Sequence, residues 1–238
     1  MSVKAILSLV GALVLAIIIV ASIRLIILRR SIAEYRKYWE QQAGESIAEN
    51  AFIYIALGDS AAQGIGASSP ERGYVGLVAK NIEEKIKRPV HVINLSVSGA
   101  KVADVLSGQL PKLSKYPPPE IVTIEIGAND VGSFNADKFR LEFSQLLNEL
   151  PANTLVSNVP SFRGSIKNNL KGHSRDASEI ATELIKQKPE LFFADIHAAT
   201  DALGLGDYAA DYFHPNDRAY KKWAEAFISA IEQNNLLL

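Results

Sequence analysis

The sequence predicts an α/β protein, a three-layer α/β/α sandwich with a five-stranded parallel sheet, preceded by one N-terminal transmembrane helix. Three observations predict it. Five short apolar runs alternate with five amphipathic stretches between Phe52 and Gln233. Most of those runs are β-branched or aromatic and apolar on both faces, as in parallel strands covered on two sides. Ahead of them, Ala5–Ile23 (AILSLVGALVLAIIIVASI) carries no charge.

The nineteen residues of that segment, as helix, span roughly 28 Å at ~1.5 Å each, close to a hydrocarbon core of ~30 Å. A cleavable signal peptide is the rival reading, since Lys4 gives a small positive start. The apolar run is longer than such a segment needs, and Arg24, Arg29 and Arg30 stand where a cleavage site would lie. The expectation is a single-pass anchor in the cell membrane. Arg24, Arg29, Arg30, Arg36 and Lys37 follow the span and only Lys4 precedes it, so the positive-inside bias favours a cytoplasmic catalytic domain.

Residues 31–50 are polar with alternating charge and read as a juxtamembrane helix or solvated connector. The expected organisation is therefore an anchor over 1–30, a helix or linker over 31–50 and a hydrolase-type domain over 51–238.

Within that domain the strands are expected at Phe52–Leu57, Val90–Leu95, Ile121–Ile126, Thr154–Val159 and Leu191–Ile196. Amphipathic helices are expected near Tyr74–Lys87, Val102–Leu113, Asp137–Leu150, Arg175–Lys188 and Asp217–Gln233. Strand–helix alternation implies a parallel sheet between helical layers. Right-handed crossovers then bring every strand's carboxyl end to one edge, where open α/β sheets bind ligands.

The polar residues that follow the strands are the candidate site. Gly58-Asp59-Ser60 ends the first, a loop with Gly99 follows the second, and GANDVG with Asn129 and Asp130 follows the third. DYFHPND, with Asp211 and His214, precedes the last helix. A serine hydroxyl needs a base to take its proton, and an imidazole at His214 can serve. Asp211, three residues earlier, can hold the other ring nitrogen. Pro215 restricts His214 to extended backbone angles, and Asn216 or Asp217 can cap the helix beyond. For an oxyanion, the candidate donors are the backbone N–H groups of Ser60 and Gly99 and the side-chain amide of Asn129. Asp130 is expected to brace its loop by accepting backbone N–H bonds. Singly, each of these residues reads as an ordinary turn or loop residue; their order at successive strand ends is what points to hydrolysis.

That ordered set resembles the SGNH hydrolase superfamily, the GDSL esterases and lipases, over about Phe52–Ile231. ALGDSAAQGIGA is similar to its first block, NLSVSGAKVADVL to its second, IEIGANDVG to its third and DYFHPNDRAY to its fifth. The resemblance implies a flavodoxin-like α/β/α fold and hydrolysis of esters or thioesters without a metal or other cofactor. It implies Ser60 as nucleophile, Asp211 and His214 as its partners, and Gly99 and Asn129 in the oxyanion hole. Ala61-Ala62 depart from the Leu-Thr or Leu-Ser that often follows the family's nucleophile, which bears on pocket shape.

Other classes fit less well. The formal charge is −1 at pH 7, with no global basic field for nucleic acid, and the absence of cysteine excludes disulfides and thiolate chemistry. The glycines of residues 63–69 lack the Gly-Lys-Ser/Thr of a phosphate loop and the third glycine of a dinucleotide fingerprint. His91, His173 and His197 are isolated, without metal-ligand spacing. The expectation is a membrane-anchored serine esterase taking a small-molecule or lipid ester, lysophospholipase- or lipase-like. A carbohydrate O-acetyl esterase and a non-catalytic tethered binding module on the same fold are the alternatives.

Overall fold

The computed structural model describes residues 2–166 and 168–237. Met1 and Leu238, at the ends of the expected anchor and domain, lie outside the described residues, as does Lys167. Five strands, β1 (Phe52–Gly58), β2 (Val90–Asn94), β3 (Ile121–Glu125), β4 (Thr154–Ser157) and β5 (Phe192–Ala194), form one sheet in the order β2-β1-β3-β4-β5. Every pairing is parallel. This is the flavodoxin-like order, whose switch point lies at β1 and β3.

The strands' two-sided apolar character explains the layers. Along β1, Ile53, Ile55 and Leu57 enter one core while Phe52, Tyr54 and Ala56 enter the other. The first core is closed by α4 (Val102–Gly108), α5 (Ala136–Glu149) and α6 (Asn168–Ile185). The second is closed by α3 (Tyr74–Ile86) and α8 (Asp217–Gln233). The buried residues of α8 (Ala219, Tyr220, Trp223, Ala224, Phe227, Ala230 and Ile231) make one apolar stripe at helical spacing. Two short helices, α2 (Ser60–Gln63) and α7 (Ile196–Asp201), follow β1 and β5 directly.

The expected boundaries shift where local chemistry intervenes. α4 stops at Gly108 and a 3₁₀ segment takes Leu110–Lys115, because Pro111 cannot continue an α-helix. β5 ends early because Asp195 caps α7, accepting from Ala198 N at 3.0 Å. α6 begins at Asn168, seven residues ahead of the helix expected from Arg175.

The largest departure is at the N-terminus. Residues Val3–Gly44 form a single helix, α1, whose first part is apolar, fully exposed and long enough to cross a membrane. The stretch expected as a juxtamembrane helix or solvated connector is helical as its second part to Gly44, and that part is docked, not solvated. Leu28, Ser31, Tyr35 and Trp39 are buried at three- and four-residue spacing, one stripe of the helix. Trp39, 3% exposed, donates Nε1–H to Gln63 O at 3.0 Å, and Tyr35 donates its hydroxyl to Ala67 O at 2.8 Å. Leu28 packs on Ile65 beside Leu25 and Ala209. The helix also lies along edge strand β2, and the chain returns over residues 45–51 to the start of β1.

Candidate active site

β1 ends at Gly58, and the turn into α2 is dictated there. Gly58 has φ +143°, and a side chain on it would run into the carbonyl of Glu125 on β3, so only glycine fits. Gln109 clamps the same residue from both sides: Gly58 N donates to Gln109 Oε1 at 2.9 Å, and Gln109 Nε2 donates to Gly58 O at 2.8 Å. Asp59 caps α2, accepting from Ala61 N at 2.9 Å. The first residue of that helix is Ser60, 5% exposed. Asn94 Nδ2 donates to Ala62 O at 2.7 Å and Gln63 Nε2 to Ser96 O at 2.9 Å, tying the new helix to the end of β2.

Asp211 and His214 reach the same place from the loop before α8. Asp211 Oδ1 accepts from the backbone N–H groups of Phe213 and His214, each at 3.0 Å. Tyr212 closes this turn with φ +55°, a backbone region non-glycine residues seldom adopt. Asn216 takes the helix cap, accepting from Arg218 N at 3.0 Å. Asp217 is released for another task, accepting from Ser68 N at 2.7 Å, Ser68 Oγ at 2.8 Å and Arg72 Nη1 at 2.9 Å. The loop carrying the histidine is thereby fastened to the loop that follows the serine.

Ser60, His214 and Asp211 form one hydrogen-bonded chain. His214 Nδ1 lies 2.6 Å from Asp211 Oδ2, and His214 Nε2 lies 2.9 Å from Ser60 Oγ. Burial pushes the Asp211 carboxyl up, but the His214 contact and the two backbone donors outweigh it and hold it down at about 2. An ionised carboxylate can only accept, so Nδ1 carries a proton, and in the neutral ring Nε2 then presents its lone pair to the serine hydroxyl. Such a chain can activate a hydroxyl for attack on a carbonyl.

The other two expected residues sit differently. Gly99 lies exposed at the end of the β2 loop. Asn129 is half-buried, and its Nδ2 donates to Asp59 Oδ2 at 2.9 Å and to Ala100 O at 3.0 Å. Asp130 accepts a backbone N–H as expected, but from Val102 at the start of α4 at 3.3 Å, tying its loop to that helix, and burial raises its carboxyl to about 6. The remaining histidines stay apart from the site: His173 Nδ1 pairs with Val131 O at 3.1 Å and His197 Nδ1 with Val159 O at 2.9 Å. Among the described residues no group of His, Asp and Glu is arranged to hold a metal ion.

Beneath the serine lies a feature the sequence reading did not single out. Glu125, the last residue of β3, is fully buried against Asp59. Desolvation and the neighbouring Asp59 charge push Glu125 well above the ordinary carboxylate range. Burial lifts Asp59 to about 6, against its bond from Ala61 N. A lone acid in an otherwise apolar run was the visible signal. Gln109 carried none, since its partner is backbone 51 residues away.

A narrow hollow opens against Ser60 and His214, walled by Ala128, Pro160, Phe162, Leu203, Tyr208 and Phe213. Phe162 and Phe213 stack with centroids 5.2 Å apart and planes at 10°. A broader, open groove between α7 and α8, bordered by Asp195, Arg218 and Glu225, contains none of the expected site residues.

Among curated protein sequences none matches this chain. Among solved structures, the fold is similar to a variant of Axe2, an acetyl xylan esterase from Geobacillus stearothermophilus, with TM-score 0.61 and 19% identity over 76% of this chain and 94% of that one. It is also similar to LAE5, an alpha/beta hydrolase enzyme from the metagenome of Lake Arreo, Spain, with TM-score 0.60 and 18% identity over 76% of this chain and 96% of that one. The lipase Lip_vut3 from a goat rumen metagenome gives TM-score 0.60 and 20% identity over 76% and 97%. Residues 56–222 match the GDSL-like Lipase/Acylhydrolase family, a span that runs from β1 into α8 and takes in the serine, the carboxylate and the histidine. The chain belongs to that family of ester-hydrolysing serine hydrolases, the SGNH type.

Proposed function

We propose that the protein is a membrane-anchored serine esterase that hydrolyses carboxylic esters or thioesters through an acyl-enzyme on Ser60. The observation that carries this reading is the continuous Ser60–His214–Asp211 chain, at 2.9 and 2.6 Å. His214 takes the Ser60 proton as Oγ bonds to the acyl carbon, and Asp211 holds the imidazolium that results. The oxyanion is met by the backbone N–H groups of Ser60 and Gly99 and by the Asn129 amide, which exchanges one of its present acceptors for it. His214 returns the proton to the leaving alcohol or thiol. Water, deprotonated by the same imidazole, then releases the acid and restores Ser60.

α1 is the anchor in this reading, supported by its exposed apolar first part and the arginines that follow it. The basic residues on the domain side favour a cytoplasmic catalytic domain.

Labelling with a fluorophosphonate tests the chemistry. Labelling of the wild type at Ser60, none of Ser60→Ala, and loss of p-nitrophenyl acetate hydrolysis in that variant are expected. Equal rates in the two proteins remove the mechanism. Absence of labelling in folded wild type favours the tethered binding module instead. The narrow hollow beside Ser60, together with the acetyl xylan esterases that share the fold, supports a second reading, removal of acetyl groups from a carbohydrate. A graded series of p-nitrophenyl esters, with a lysophospholipid and an acetylated xylo-oligosaccharide alongside, separates the two.

A further inference from the structure

The direction in which α1 leaves the domain fixes which face of the enzyme its apolar part approaches. Trp39 and Tyr35 bond to Gln63 and Ala67, the turn just beyond Ser60 at the carboxyl edge of the sheet. From there the helix runs on to Gly44, and the chain reaches the opposite edge, where β1 begins. Residues 3–24 therefore project past the edge that carries Ser60, not past the far edge.

The changeover from apolar to docked helix falls at that edge. Leu25 and Leu28 pack beside Ile65 and Ala209, while Arg24, Arg29 and Arg30 are exposed around them. Arginines at the end of an apolar helix sit at headgroup level, with long stems along apolar surface.

The loops at the same edge expose large apolar side chains where a water-facing loop has no need of them. Among the described residues, the exposed large apolar side chains outside α1 are Ile47, Val97, Leu141, Ile166, Leu205 and Tyr212. Val97 and Ile166 follow the carboxyl ends of β2 and β4, and Leu205 and Tyr212 lie between α7 and α8 in the segment that carries His214. Leu205 and Tyr212 border one surface depression together with Arg24, Ile27 and Leu28 of α1, so rim and helix form a continuous surface.

We propose that this rim is a bilayer-contacting surface, held by α1 against the leaflet that the helix itself enters, so that the mouth at Ser60 opens toward lipid. The occupant is the headgroup and upper acyl region of that leaflet, and an ester resident there reaches Ser60 without crossing bulk water. The inference rests on the reading of α1 as a membrane span and adds the orientation of the catalytic edge.

The chain has no cysteine, so single labels can be placed at will. The full-length protein is reconstituted into phosphatidylcholine nanodiscs with shallow- or deep-doxyl lipid. Leu205→Cys, Ile47→Cys and Ile17→Cys variants each carry an environment-sensitive fluorophore. The expected result is that the label at 205 loses most of its emission to shallow-doxyl lipid, the label at 17 to deep-doxyl lipid, and the label at 47 loses none. Quenching at 17 with 205 no more quenched than 47 overturns the orientation and leaves the anchor standing. Absence of quenching at 17 removes the anchor, and the orientation with it. Circular dichroism of each labelled variant, matched to wild type, excludes misfolding as the cause.

Discussion

Asp59 and Asn129 are joined across neighbouring strand ends, with Asn129 Nδ2 donating at 2.9 Å to Asp59 Oδ2. The residue before the proposed nucleophile thus positions the amide proposed to meet the oxyanion, and the two are a single unit. Asn129→Ala is expected to lower kcat on p-nitrophenyl acetate by ~10²–10³ with KM little changed, the usual cost of losing one such donor. A steady-state comparison with wild type checks this. A change confined to KM contradicts the role.

Asp59 also lies against the buried Glu125, and that pair links stability to pH. Burial raises Asp59 from an ordinary 3.8 to about 6 and raises Glu125 well above its own ordinary value. The folded protein therefore holds protons that the unfolded chain has already lost. Stability contributed by this protonation is full below about pH 4 and declines as pH rises through about 6. Glu125→Gln removes one of the two charges, so its melting temperature is expected to fall less than the wild type's between these pH values. Thermal melts of both proteins across that range provide the measurement; parallel curves contradict the linkage.

Asp211 has the opposite sign. Held at about 2 against an ordinary 3.8, it stabilises the fold above that ordinary value, and the contribution is lost as pH falls through about 2. It stays ionised across the working range. Asp211→Asn is expected to keep the fold and lose turnover on the order of 10⁴, the cost of the wrong imidazole tautomer in a serine triad. A full kcat/KM profile of both proteins tests this.

Gly66 sets the spacing between the serine's loop and the histidine's loop. Its φ is +98°, and a side chain there would lie 2.9 Å from His214 Cβ and run into Pro215 O. Gly66→Ala is expected to push the imidazole from Ser60 and cost ~10²-fold in kcat, the scale of a 1 Å misplacement. Gly132→Ala, where a Cβ meets nothing within 4 Å, is expected to leave kcat unchanged and is the control.

The fold was legible because the parallel strands announce themselves as runs such as FIYIAL and IVTIEI, apolar on both faces. Ser60, Asp211 and His214 were legible because chemistry restricts their residue types and the sheet topology restricts where they meet. Asn129 was legible as a donor but not as a partner of Asp59, since that bond spans 70 residues. Trp39 and Tyr35 were hidden by their polar neighbours. The stripe that betrays them, Leu28 with Tyr35 and Trp39, begins inside the expected anchor and crosses its boundary at residue 30.

That stripe changes where the catalytic unit begins. The family match starts at residue 56, yet a chain trimmed to that point would uncover Ile65 and strip Gln63 and Ala67 of the aromatic donors they now bond. Replacing a buried Trp or Phe by Ala alone typically costs ~3–5 kcal/mol. A version without the exposed apolar part of α1, for crystallisation or inhibitor screening, therefore has to retain the second half of that helix, with its cut placed in the vicinity of Leu25 instead of at the first strand.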